Sequence, residues 1–268
     1  MTPEMLAMFK EFIKGKTGLF FSEEKNYFLE SRIAKRIKQS GAHNDMEYYR
    51  NIKQDRAEFQ QLVDLLTVSE TFFMRELPYL ELVARRLVPE MSRRASAPIN
   101  ILSAGSATGE EIYSLMMLLR HYNFPLDRVS TLGLDINNTS LDKARAGLYT
   151  ENSIRHLGKE QVSLLDSFLE RGKDGIMKVS RDLVDRARFV HGNLFDGLAG
   201  LGPFDLVMLR NTLIYIAPDL RPRVLSNIKD SMRRGSYLIL GQVEIAGGTG
   251  GLFAERKMDG LSVFVKEG

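Results

Sequence analysis

The chain has no cysteine among its 268 residues. That excludes disulfides, thiolate-held zinc, iron–sulfur clusters and cysteine nucleophiles together, and it suits a reducing compartment. Histidine is nearly as scarce: His43, His121, His156 and His191 are the four present, and their spacing forms neither a metal-ligand set nor a catalytic triad. No metal is expected. Charge of one sign is also lacking, because 37 Lys and Arg against 34 Asp and Glu leave a net of only +3. Such a balance is too small for a nucleic-acid-binding coat, so any basic surface is local. The longest apolar stretch, near Leu206 to Ala217, is broken by Arg210 and Asn211 and falls short of the ~20 residues of a membrane-spanning helix. Met1 to Lys10 carries Glu4 before any base and lacks an apolar core, unlike a signal peptide. These absences predict a cytoplasmic protein with no membrane insertion and no nucleic-acid partner.

What is present is an ordinary globular composition, 44% hydrophobic and 26% charged, which folds rather than remaining disordered. The length favours a large α/β unit with a smaller companion. From Pro3 to about Leu66 apolar residues recur at three and four, as in Leu6, Phe9, Phe12 and Ile13, then Phe28, Leu29, Ile33 and Ile37. Breaks at Gly18, Gly41 and Asn44 divide this stretch into three or four short helices. A longer helix follows over about Leu77 to Ser92. The pattern then changes to short apolar runs at Ile99–Ser103, Val129–Asp135, Phe204–Leu209, Tyr237–Leu240 and Leu261–Val265, separated by helical stretches. Alternation of that kind means βαβ units and a largely parallel sheet, with ligands at the carboxyl ends of the strands. The predicted organisation is a helical domain over 1–76, a connecting helix over 77–95 and an α/β domain over 96–268. A small inserted β-subdomain at about 149–188 carries a helix over Gln161–Leu169 and a strand over Ile176–Val179.

The strand Ile99–Ser103 runs into Ala104-Gly105-Ser106-Ala107-Thr108-Gly109-Glu110-Glu111 and then a helical pattern. Glycines there permit a close backbone approach to a ligand, although a tight βα turn with no ligand has the same shape. Neither G-x-G-x-x-G nor a P-loop lysine is present, and two glutamates follow Gly109 at once, which disfavours a pyrophosphate. Carboxylates suit a cationic ligand or hydroxyl groups, and S-adenosylmethionine offers an amino group, a sulfonium and a ribose. Asp135 ends the next strand about 26 positions after Gly109, where cofactor folds place the acid that accepts ribose hydroxyls. Capping of the helix that begins near Thr139 is the other reading of Asp135.

Four ordered segments resemble the CheR chemotaxis methyltransferases. They are Thr67-Val-Ser-Glu-Thr71-Phe-Phe-Met-Arg75-Glu76, Ser103-Ala-Gly-Ser-Ala-Thr-Gly-Glu-Glu-Ile-Tyr-Ser114, Asn193-Leu194 and Phe204-Asp-Leu-Val-Met-Leu-Arg-Asn-Thr-Leu-Ile-Tyr215. The resemblance covers nearly the whole chain. It implies a Rossmann-like S-adenosylmethionine-dependent methyltransferase sheet with an N-terminal all-helical domain and a small inserted β-subdomain. It further implies transfer of methyl to glutamate carboxylates of chemoreceptor cytoplasmic domains, with S-adenosylhomocysteine as product. By resemblance Ser69, Thr71, Arg75, Glu110, Asp135, Asn193, Leu194, Arg210 and Asn211 surround the cofactor, with Gly105 in the turn beneath it. Two departures stand out: Ile112 where a proline is common after the glutamates, and Gly241-Gln242-Val243-Glu244 in place of the common Gly-His-Ser-Glu.

Arg75 and Tyr215 are the candidates for gripping the incoming carboxylate, by guanidinium and by hydroxyl. Taken alone, they read equally as a helix-end surface arginine and a core tyrosine. Lys25, Arg32 and Arg36 fall on one side of a predicted helix over Lys25–Gln39, with Lys35 adjacent, a basic face suited to docking an acidic receptor or simply to solvent. The short loop Arg171-Gly172-Lys173-Asp174-Gly175 predicts that no receptor C-terminal pentapeptide is tethered. A non-catalytic S-adenosylmethionine-binding signalling module and a small-molecule methyltransferase are the rival readings. Retention of Arg75 and Tyr215 argues against the first, and the basic helical domain against the second.

Overall fold

The breaks that divide the first four helices fall on capping residues. The computed structural model describes residues 1–173 and 175–267. Helix α1 (Pro3–Thr17) starts on Thr2, whose hydroxyl accepts from the Met5 N–H, and stops at Gly18 with φ 77°. Helix α2 (Asn26–Ser40) stops at Gly41 with φ 78°. Helix α3 (Asp45–Gln54) is capped by the Asn44 side chain, and α4 (Arg56–Leu66) by Asp55, which accepts from the Ala57 and Glu58 N–H groups. Left-handed glycines end helices because they carry no Cβ to clash, so the breaks read from the sequence are caps. Helices this short owe their stability to their apolar faces, which bring Phe9, Ile13, Leu29, Ile33, Tyr48 and Leu62 into one core.

This first unit comprises residues 1–68 together with 214–221. Leu19 and Ile216 form an isolated antiparallel bridge. On either side of it the Phe20 N–H donates to the Tyr215 carbonyl at 2.9 Å and the Ala217 N–H to the Gly18 carbonyl at 2.9 Å.

The second unit takes Ser69–Leu213 and the chain from Pro222 onward, so the division falls earlier than the 76 read from the sequence. The reason is burial: Phe73, Met74, Tyr79 and Leu80 all enter the second unit's core. The long helix predicted over Leu77–Ser92 is α5 (Leu77–Leu82), a π-helical stretch Val83–Leu87 and α6 (Val88–Arg94). Pro89 has no N–H for the Arg85 carbonyl, a local cause for the widened turn. There follow β1 (Ile99–Ala104), α7 (Glu110–His121), β2 (Val129–Asp135), α8 (Asn138–Ala146), β3 (Leu148–Tyr149), α9 (Lys159–Asp166), β4 (Leu169–Arg171), β5 (Met177–Val179) and α10 (Arg181–Arg186). The chain continues through β6 (Ala187–His191), β7 (Phe204–Leu209), α11 (Arg221–Asp230), β8 (Met232–Leu240), α12 (Gln242–Gly247), β9 (Ala254–Met258) and β10 (Leu261–Val265).

The main sheet has the order β6-β2-β1-β7-β8-β10-β9. The first five strands are parallel, and β10 runs antiparallel to both neighbours. This is the Rossmann-like α/β sheet expected from the sequence. Strand order reverses between β1 and β7, the crevice where open α/β sheets bind ligands. In register, Ser103 of β1 stands beside Gly133 of β2 and Met208 of β7, so three strand ends deliver their following loops to that crevice.

The inserted subdomain is a three-stranded antiparallel sheet, β3-β5-β4. Its helix stops at Asp166, short of the predicted Leu169, because Leu169 opens β4 and pairs with Val179. In the loop beyond, Gly172 donates its N–H to the Ile176 carbonyl at 2.8 Å. Asp174 of that loop lies outside the described residues.

Candidate functional site

The turn after β1 is fixed from several sides. The Gly105 and Ser106 N–H groups both donate to the Leu134 carbonyl, at 2.8 and 3.0 Å. Gly105 has φ +83°, and a Cβ there would run into the Thr212 side chain; at Gly109, φ +90°, a Cβ would stand 2.9 Å from both Ala144 and Phe189. Sterics therefore demand both glycines. Asp135 reaches under the turn, accepting from the Ala107 N–H at 2.8 Å and the Asn137 N–H at 2.9 Å. The helix cap is Asn137, whose side chain accepts from the Ser140 N–H, so the capping alternative for Asp135 is set aside. Burial pushes the Asp135 carboxyl upward, opposed by the N–H groups of Asn137, Ala107 and Ile136. Two carboxylate oxygens offer about four lone-pair sites, so those three N–H groups leave room for a hydroxyl donor.

A second cluster joins the 70–76 segment to the loop after β7. Arg75 donates to the Glu70 carbonyl at 2.9 Å and to Asn211 Oδ1 at 2.8 Å, with its guanidinium 5.6 Å from the Phe72 ring centre. Arg210 is buried and donates to Glu111 Oε2 at 2.8 Å and to the Arg75 carbonyl at 2.5 Å, with Glu76 Oε2 at 3.4 Å. Asn211 Nδ2 donates to Glu76 Oε1 at 3.1 Å. Thr212 Oγ1 donates to the Ala104 carbonyl at 3.1 Å, tying this cluster to the glycine turn. The structure thus brings Arg75, Arg210, Asn211 and Gly105 together. Met74, Glu76, Ala107 and Asn211 are four of the six described non-glycine residues at positive φ. Backbone held in such sparsely populated regions concentrates at functional sites.

The remaining predicted residues occupy the flanks. Ser69 Oγ lies 2.6 Å from Ser140 Oγ at the start of α8, and Thr71 is half-buried. Asn193 and Leu194 follow β6, where His191 pairs with Asp135 and the Gly192 N–H donates to the Asp135 carbonyl at 3.0 Å. Glu110 is 2% exposed, and its two oxygens accept from the Thr108 and Ser153 hydroxyls at 2.6 and 2.9 Å. Burial pushes its carboxyl upward, chiefly against the Thr108 hydrogen bond. Its neighbour Glu111 is the one that joins the arginine cluster, also accepting from Ser103 Oγ at 2.7 Å. Sequence reasoning gave no role to Glu76 or Thr212, and read Glu111 only as one of two glutamates suited to a cationic or hydroxyl-bearing ligand. Their signal was present, since all three sit inside the matched motifs, but the contacts that define them span up to about 135 positions.

In the first unit, Tyr215 closes a 3₁₀ turn (Leu213–Tyr215), packs against the helical core and carries the Lys25 ammonium 5.6 Å from its ring centre. It belongs to a different unit from Arg75. Lys25 and Lys35 are exposed, and the Arg32 guanidinium lies 4.9 Å from the Phe28 ring centre. Arg36 does not join the basic face expected of it. Its Nε and Nη2 donate to the two Glu58 oxygens at 3.0 and 2.6 Å, and its Nη1 donates to Gln39 at 3.0 Å. The cause is helical phase: position 36 lies one turn beyond the buried Leu29–Ile33 stripe and faces α4 rather than solvent.

The donor set fits S-adenosylmethionine. An acid with spare lone pairs beneath the glycine turn suits a ribose diol, further carboxylates at Glu76 and Glu111 suit an ammonium, and Arg75 suits a carboxylate. Comparison with known proteins agrees. Residues 69–259 match the CheR methyltransferase SAM binding domain, and residues 4–67 the CheR methyltransferase all-alpha domain. A chemotaxis protein methyltransferase of Vibrio anguillarum is 31% identical over 243 residues, covering 88% of this chain and 87% of its own. Chemotaxis protein methyltransferase 1 of Vibrio cholerae shows the same identity and coverage. That of Borreliella burgdorferi is 28% identical over 257 residues, covering 91% and 89%. With both halves matched in order and the crevice furnished for its cofactor, the chain belongs to the CheR methyltransferase family.

Proposed function

We propose that this methyltransferase esterifies glutamate side chains in the cytoplasmic domains of methyl-accepting chemoreceptors, within the cytoplasm. The observation that carries the reading is Arg75, held by Asn211, Glu70 and Phe72 at the carboxyl edge of the sheet with guanidinium donors to spare. When bound, S-adenosylmethionine supplies a methyl carbon activated by a positively charged sulfur. A free glutamate, with a pKa near ~4.3, is already ionised at neutral pH, so no residue of the chain has to remove a proton. This accords with the absence of a histidine triad. Orientation is then the chain's main contribution, holding the carboxylate oxygen about 3 to 3.5 Å from the carbon it attacks. Arg75 offers a planar donor pair for that task. A clamp that stabilised the ionised substrate more than the charge-dispersed transition state would slow transfer, so its role is positioning. Tyr215 is assigned a hydrogen bond to the same substrate group.

Cofactor contacts from Ser69, Thr71, Arg75, Gly105, Glu110, Asp135, Asn193, Leu194, Arg210 and Asn211 belong to this proposal. Docking falls to Lys25, Arg32 and Lys35, beside the 84% exposed Tyr27, a face that suits an acidic helical partner. The short Arg171–Gly175 loop leaves little backbone to cradle a peptide end, so no pentapeptide tether is assigned.

Labelled S-adenosylmethionine and receptor-bearing membranes test all of this in one assay. The expected result is label on receptor that alkali releases as methanol, as an ester requires. Tyr215→Phe should lower turnover far more than cofactor affinity, and Arg32→Glu should raise the receptor KM. Receptor trimmed of its C-terminal peptide should serve equally well. Cofactor binding without transfer would favour the non-catalytic signalling module, and alkali-stable label would exclude a glutamate ester.

A further inference from the structure

Glu244 is a buried carboxylate at the carboxyl edge of the sheet to which the resemblance assigns no role. It lies on α12, immediately past β8, and is 5% exposed. A carboxylate placed there needs partners, because burial penalises its charged form. Its partners are main-chain groups of the loop after β7. Oε1 accepts from the Thr212 N–H at 2.7 Å, and Oε2 sits by the Asn211 N–H without the alignment of a full hydrogen bond. Gly241 makes this reach possible, since a Cβ on it would collide with Glu244 Oε2 and stand 3.0 Å from the Asn211 nitrogen.

The loop needs such a grip. Strand β7 ends at Leu209, and Asn211 just beyond it has φ 56°, a sparsely populated left-handed conformation that asparagine tolerates better than most non-glycine residues. Thr212 is gripped from the opposite direction through its hydroxyl, which donates to the Ala104 carbonyl at 3.1 Å and the Arg210 carbonyl at 3.2 Å. Held between α12 and the end of β1, Asn211 can turn its side chain to the cluster. Its Oδ1 accepts from Arg75 at 2.8 Å, and its Nδ2 donates to Glu76 at 3.1 Å.

We propose that Glu244 is a positioning residue for the cofactor site: by fixing the Asn211–Thr212 backbone it sets where Asn211 holds Arg75 and Glu76. This rests on the reading that Arg75 and Asn211 line the S-adenosylmethionine site. It also separates the two parts of the Gly241-Gln242-Val243-Glu244 departure. Gln242 and Val243 stand where the family commonly has other side chains, whereas Gly241 and Glu244 keep the one clearance and the one carboxylate that the loop requires.

Calorimetric titration of S-adenosylhomocysteine into wild type, Glu244→Ala, Asn211→Ala and the double variant tests the proposal. Each single change should weaken binding about tenfold or more, the scale for a lost charge-assisted hydrogen bond. Because Glu244 acts through Asn211, the double variant should bind about as weakly as the poorer single one. Glu244→Gln, which keeps an oxygen for the Thr212 N–H, should stay within about threefold of wild type. Should Glu244→Ala fail to fold by circular dichroism, Glu244→Asp takes its place, being one methylene too short to reach the loop. Wild-type affinity in Glu244→Ala or Glu244→Asp, or fully additive losses in the double variant, would overturn the proposal. An Asn211→Ala that binds normally would remove Asn211 from the site, and the role of Glu244 with it.

Discussion

Each of the two units buries an arginine against glutamate, and the two arrangements differ in completeness. In the helical unit Arg36 places two nitrogens on the two oxygens of Glu58 and the third on Gln39, and the Tyr48 hydroxyl donates to Glu58 at 2.8 Å. None of those side chains has a buried polar atom without a partner, and the backbone around them is ordinary helix. In the α/β unit Arg210 serves Glu111, Glu76 and a carbonyl, yet its Nε and Glu76 Oε2 are buried without a hydrogen-bond partner. The surrounding chain passes through left-handed conformations at Met74, Glu76 and Asn211. A closed network specifies packing, and an open, strained one marks a place prepared for something else to bind.

Breaking the open network should have the larger consequence. Arg210→Ala strands Glu111 and Glu76 without their buried counter-charge, for which the expected loss is about 3 to 5 kcal/mol of stability. It also frees the Arg75 carbonyl, and S-adenosylhomocysteine affinity should fall by about 100-fold, measurable by calorimetry on the folded fraction. Intact binding would mean that the open valences do not serve the ligand. Arg36→Ala should cost less, about 2 kcal/mol in urea unfolding, because 12% and 13% of the paired side chains still meet solvent. Its calorimetric affinity for S-adenosylhomocysteine should match wild type, and a weakened affinity would show that the closed network is not purely structural.

The smallest effect concerns Glu110. Burial raises its carboxyl pKa in the folded protein above the usual 4.5, so the folded state binds the proton more tightly than the unfolded one. Stability from this group is therefore fully present below 4.5 and is lost as pH rises through the raised value. Urea midpoints taken upward from pH 4.5 should decline, and Glu110→Gln should flatten that decline by at most about 1.4 kcal/mol per pH unit. An identical profile in the variant would place the titration elsewhere, at Asp135 or Glu244, which burial also raises.

Inner strands were legible because strands covered on both faces are nearly continuous in apolar residues: parallel β2 and β7, and the antiparallel but buried β10, coincide with the runs read from the sequence. Edge strands were not. β6 reads Ala-Arg-Phe-Val-His and β9 reads Ala-Glu-Arg-Lys-Met, with the charges that blunt a sheet edge and erase the periodic signal. The first half of β8 was hidden likewise by Arg233-Arg234-Gly235. At the site, the glycine turn and Asp135 were legible because their constraints are local. The network of Glu76, Glu111, Arg210 and Glu244 was not, since its links cross from one sheet end to another and no spacing encodes them. Helical periodicity misplaced Arg36, because it records which residues share a side and not which neighbour supplies a carboxylate.

The visit of residues 214–221 to the helical unit carries a consequence for the order of assembly. Ile216 and Ala217 are buried there, and their main chain pairs with Gly18 to Phe20. Synthesis delivers the helices first, yet the segment that completes their unit, 214–221, follows only after residues 69–213. On the ribosome the helical unit must therefore wait, partly finished, while most of the sheet emerges. Contacts of that sequence separation are costly in loop-closure entropy and slow to form. A fragment ending at residue 68 is accordingly an incomplete unit rather than a small protein, and supplying the eight-residue segment as a peptide is the natural way to finish it.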